Sequence, residues 1–85
     1  MSGFPMPRET PDAPEVPALT YLNFRQRAFV LQYVLGDDSV RGVLYKAYLA
    51  AGFDSKDQNS ASAGASALMR DTRIRNAISE LRSEL

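Results

Sequence analysis

All five prolines of this 85-residue chain fall at positions 5, 7, 11, 14 and 17, and none follows. Proline fixes φ and lacks a backbone donor, so this stretch cannot run as a regular helix, whereas everything after it can. Small and acidic residues without apolar periodicity fill the same stretch, and residues 1–18 are expected to form a disordered, extended tail. Roughly 65 residues are left to fold, near the lower size at which a hydrophobic core alone suffices. Part of their apolar surface is therefore expected to be covered by other copies of the chain.

The remainder, residues 19–85, carries helical signals throughout. In Leu22-Asn23-Phe24-Arg25-Gln26, Asn23 can cap a helix while Gln26 reaches back to the cap, a variant of the capping box. The helix is expected to run to Leu35 with Phe29, Val30, Tyr33 and Val34 on one face and Arg25, Arg27 and Gln32 turned elsewhere. Gly36-Asp37-Asp38 should stop it, glycine by taking the left-handed conformation and the aspartates by favouring turns and caps. A second helix is expected from Asp38 or Ser39 to Ala51, since Val40, Val43, Leu44, Ala47, Tyr48 and Ala51 follow helical spacing. Gly52 would end it and Phe53 would fold back as its hydrophobic closure.

A polar connection, residues 54–59, leads to a third helix at 60–70 with Ala61, Ala65, Leu68 and Met69 facing inward. Asp71 should cap a fourth helix whose seam is Ile74, Ala77, Ile78, Leu81 and Leu85. That pattern is still in phase at the last residue, so the helix is expected to continue in a longer natural protein or to pack on a neighbouring copy. The expected fold is all-α: a small bundle of about four short helices, with helices two and three as a helix-turn-helix.

With neither cysteine nor histidine in the chain, disulfides, thiol chemistry, zinc fingers and the commonest general base are excluded. No phosphate-binding glycine loop with lysine and no triad-like set is present, so no enzyme, no catalytic residue and no cofactor is expected. Asp37-Asp38 reads as a stop and a cap, and no metal site is expected. No apolar run is long enough for a bilayer and the N-terminus lacks signal-peptide features, so a soluble, intracellular chain without a membrane partner is expected.

The formal net charge is zero, with Arg8 against Glu9, Asp12 and Glu15 in the tail, and residues 19–85 hold nine basic against seven acidic residues. A single copy should bind DNA weakly. The candidate contacts are Lys56, Gln58, Asn59, Ser60, Ser62, Ser66 and Arg70. Asparagine and glutamine can read adenine edges, serines and backbone N–H groups can hold phosphates, and lysine and arginine neutralise them. Small side chains there keep the third helix slim enough for a DNA groove. Arg25, Arg27, Arg41 and Lys46 are candidates for added phosphate contacts, as are Arg73 and Arg75 at the start of helix four. The competing reading is a solvated helix face. Tyr33, Tyr45 and Tyr48 are expected to pack rather than stack on bases.

These residues resemble the N-terminal DNA-binding domain of phage terminase small subunits, the genome-packaging proteins. The matching blocks are Leu22, Asn23, Arg25, Gln26, Phe29 and Tyr33; then Lys46-Ala47 and Ala51-Gly52-Phe53; then Ala65-Ser66, Leu68-Met69-Arg70, Asp71, Arg73-Ile74, Ala77-Ile78 and Leu81. Phe24 and Thr72 stand where that family often has proline, and the 54–59 connection is about three residues longer than the family's usual turn. The resemblance implies recognition of double-stranded viral DNA in the host cytoplasm at the start of packaging. It also implies a homo-oligomeric ring and a terminase large subunit that supplies the motor and nuclease. Because family members usually continue into oligomerisation and large-subunit-binding regions, the chain is expected to be an isolated domain or an unusually short member. Two other readings share the pattern: a dimeric helix-turn-helix transcription regulator, and a helical protein-interaction module.

Overall fold

Side-chain caps open three of the α-helices in the computed structural model, which describes residues 13–85. These residues form a 3₁₀ turn at Pro17–Tyr21 followed by α1 (Phe24–Leu35), α2 (Leu44–Ala50), α3 (Gln58–Met69) and α4 (Thr72–Ser83). No strand occurs among the described residues. At α1 the Gln26 N–H donates to Asn23 Oδ1 at 2.9 Å and the Asn23 N–H donates to Gln26 Oε1 at 3.1 Å. Both halves of the expected capping box are present.

α1 is the central element, packed on α2 and α4. Ala28, Phe29, Val30, Leu31 and Val34 are buried nearly all round it, as expected for an enclosed helix. Gln32, expected to face outward, is instead buried at 3 % exposure. The 36–42 segment folds back over it, bringing Gly36 against the Gln32 side chain. No buried side-chain polar atom among the described residues lacks a hydrogen-bond partner.

The folded unit also begins earlier than the proline pattern implied. Residues 1–12, most of the expected tail, lie outside the described residues, but Val16 and Ala18 are buried with Leu19 in the core. The turn they belong to packs on α4. Pro17 opens that turn, where the missing N–H would have had no partner in any case.

The 36–43 segment departs from expectation in two ways. Gly36 has φ −64°, so it is not left-handed. What selects glycine there is space, since a Cβ would run into the Gln32 carbonyl and lie 3.1 Å from Val40 Cγ1. The second helix does not start at Asp38 or Ser39. Asp37 nucleates a single turn, accepting from the Ser39 N–H at 3.0 Å on its side chain and from the Val40 and Arg41 N–H groups at 2.9 and 2.8 Å on its carbonyl. Gly42 then ends the turn at φ 78° while its N–H donates to the Tyr33 carbonyl at 2.9 Å. Helix resumes only at Leu44.

α2 closes as the sequence led us to expect. Gly52 is left-handed at φ 92°, its N–H donates to the Leu49 carbonyl at 3.0 Å, and the Phe53 N–H reaches the Tyr48 carbonyl at 3.4 Å. This is a Schellman closure, completed by Phe53 stacking on Tyr48 with ring centroids 4.5 Å apart. The Asp57 carboxylate then caps α3 by accepting from the Ser60 N–H at 2.8 Å, which starts that helix at Gln58 rather than 60. Asp71 caps α4 through the Arg73 N–H at 2.9 Å. Ile74, Ala77, Ile78 and Leu81 are buried along it. Leu85, expected on the same seam, is exposed because the helix ends at Ser83.

α2 and α3 meet through small residues: Ala47, Ala51, Ala61 and Ala65 are all fully buried. Gly64 faces Tyr48 so closely that a Cβ would collide with the ring carbon bearing the hydroxyl. In an open helix Gly→Ala gains up to about 1 kcal/mol of propensity. At this position overpacking, typically about 1–3 kcal/mol, should reverse the sign. Gly64→Ala is therefore expected to lower the thermal midpoint, and the loss should shrink when Tyr48→Leu is added; a stabilised single variant would contradict the packing described.

Candidate nucleic-acid interface

The outward side of α3 follows from which side it buries. Ala61 and Ala65 are in the interior, Leu68 and Met69 pack against it, and Gly64 meets Tyr48. What remains is an exposed stripe of Asn59, Ala63, Ser66, Ala67 and Arg70, with Gln58 and Ser60 at its start. Ser62 is half-buried at its flank and Lys56 is exposed in the preceding turn. Of the sequence candidates, Lys56, Gln58, Asn59, Ser60, Ser62, Ser66 and Arg70 thus lie on or beside one helix. Ala63 and Ala67 make this stripe narrow.

Electrostatically the stripe is balanced, with Lys56 and Arg70 matched by Asp54 and Asp57 across residues 54–70. Asp57 is occupied by the α3 cap. The Lys56, Arg70 and Lys46 side chains make no hydrogen bond or ion pair with any described residue and are exposed. Their charges are available to a ligand.

Four other candidate cations, Arg25, Arg27, Arg41 and Arg73, have partners within the fold. Arg25, half-buried, donates from Nε to the Gly52 carbonyl at 3.0 Å and so ties α1 to the end of α2. A cation at a helix C-terminus also suits the dipole there. Arg73 pairs with Asp71 at 2.8 Å, Arg41 with Asp38 at 2.6 Å, and Arg27 loosely with Glu15 at 3.8 Å. The Arg73 guanidinium, then its backbone N–H, holds the Asp71 carboxyl below the usual carboxylate range, and Asp71 in turn raises Arg73. Tyr33 and Tyr48 do pack: Tyr33 stacks on Phe29 with centroids 6.0 Å apart and Tyr48 on Phe53.

Among the described residues no helix is long and apolar enough to cross a membrane. No family model, curated protein or solved structure matches the chain.

Arg25→Ala is expected to cost about 1 kcal/mol of unfolding free energy through the lost hydrogen bond, while leaving the folded domain's affinity for duplex DNA unchanged. Denaturant melts and binding isotherms on the same variant separate the two effects. A second expectation concerns acid. Because the folded Asp71 pKa is lowered, its contribution is complete above the unfolded carboxylate range and is lost as pH falls through the folded value. Denaturant melts run from neutral pH to well below that range should show Asp71→Asn losing less stability than wild type; parallel losses would assign the acid sensitivity elsewhere.

Proposed function

We propose that the domain binds double-stranded DNA through α3, as the helix-turn-helix part of a terminase small subunit that recognises viral DNA when packaging begins in the host cytoplasm. The observation that carries this reading is the slim exposed stripe of Asn59, Ala63, Ser66, Ala67 and Arg70, flanked by the unpaired Lys56. A major groove admits one helix, asparagine can pair with adenine edges, and serines and the two cations can hold phosphates. Few free charges mean a weak grip per copy, so several copies in a ring would act together on bent or wrapped DNA. The large subunit would supply the motor and nuclease, and this domain the recognition.

A second reading, a helical protein-interaction module, gains support from the balanced charge of the α3 stripe and from Tyr21 and Phe24, exposed by 72 % and 67 %. Salt dependence separates the two, because phosphate contacts release counterions and apolar contacts do not.

An NMR titration with duplex DNA should give shifts concentrated in residues 56–70 at low salt that fade at moderate salt. Lys56→Ala combined with Arg70→Ala is expected to weaken binding and to reduce the salt slope by about 2, one for each phosphate contact, without lowering the thermal midpoint. Unchanged affinity and slope in a folded double variant would rule out the α3 face.

A further inference from the structure

We propose that α4 carries a second phosphate-binding face, formed by Arg75 and Arg82, which holds the backbone of the same duplex beside α3; this inference rests on the DNA-binding reading. Between the end of α3 and α4 lies an open groove of about 470 Å³ lined by Met69, Arg75, Ile78, Ser79, Arg82 and Ser83. No carboxylate lines it. At 100° per residue, Arg75, Ser79, Arg82 and Ser83 project within an arc of about 100°, with Glu80 and Glu84 outside it. Glu80 lines a different groove, beside Pro17 and Tyr21.

Neither guanidinium pairs with a carboxylate, unlike those of three other described arginines. Arg27, Arg41 and Arg73 each pair with a carboxylate. The Arg75 side chain makes one long hydrogen bond, 3.3 Å, to the Thr72 hydroxyl and contributes weakly to the lowering of Asp71, and Arg82 lies over the Tyr33 ring, 5.6 Å from its centroid. Stacking fixes the position of Arg82 while leaving its charge unneutralised. The Ser83 hydroxyl donates to the Ser79 carbonyl at 3.1 Å, and the Ser79 hydroxyl is exposed between the arginines without a partner among the described residues.

Spacing and position favour nucleic acid. Seven residues separate the arginines, about 10.5 Å along the helix axis, far enough apart for each guanidinium to meet a different phosphate of one DNA strand. Met69 places the groove at the C-terminal end of α3, one residue before Arg70, so the proposed face adjoins the end of the α3 stripe.

The test measures binding of the whole chain to two duplexes of unrelated sequence over a range of salt. Arg75→Gln with Arg82→Gln is expected to reduce the salt slope by about 2, equally for both duplexes, while shifts on Asn59 and Ser66 persist. Arg75→Lys with Arg82→Lys should restore the slope. Because Arg82→Gln also removes the contact with Tyr33, Arg75→Gln alone serves as the fold-neutral variant, with an expected reduction of about 1. An unaltered slope in the glutamine variants, with the α3 shifts retained, would overturn the α4 face and leave the α3 reading standing. Absence of any duplex-induced shift in wild type would overturn both. Groove resonances that respond to a polyglutamate peptide but not to duplex would assign the face to an acidic protein instead.

Discussion

The close approach of Tyr48 to Gly64 sets the geometry on which the rest of the domain depends. A glycine inside a helix costs about 1 kcal/mol against alanine, and here the missing Cβ is what lets an aromatic ring of α2 lie directly on the α3 backbone. Phe53 supports that ring from behind, and buried alanines fill the rest of the seam. With large side chains on this seam the two helices would stand farther apart and at another angle. The orientation of the exposed α3 stripe is therefore a consequence of small residues on its opposite side.

Much of this was legible in the sequence, because much of it is local. Asn23 and Gln26 lie three residues apart, Gly52 and Phe53 adjoin the helix they close, and Asp71 sits immediately before the helix it caps, so each signal and its effect share one turn of chain. Features that depend on distant partners were not legible. Gly42 splits the expected second helix while bonding to the Tyr33 carbonyl nine residues earlier, and Gln32 is buried by a loop that returns over it. Val16 and Ala18 carry no periodicity, and the surrounding prolines outweighed their apolar character.

The candidate interface divides along the same line. Exposure of Asn59, Ser66 and Arg70 follows from helical phase and could be read directly. Whether an arginine is free or committed depends on what lies across space from it. Arg25 reaches a carbonyl on another helix, which no local pattern announces. Arg73 reaches Asp71, only two residues away, and that proximity was a signal available in the sequence. Subtracting such committed charges leaves Lys46 on α2, Lys56 and Arg70 around α3 and the arginine pair along α4, a more selective electropositive surface than the near-zero net charge suggests.

α2 has only seven residues and no side-chain cap at its start. Isolated helices shorter than about 12–15 residues are marginal in water, so α2 persists only while α1 and α3 hold it. Its stability is a property of the whole assembly of helices. A ligand held across α2 and α3 would draw on the global unfolding equilibrium, and by thermodynamic linkage its occupancy would register as raised resistance to heat even where no bound atom touches the core.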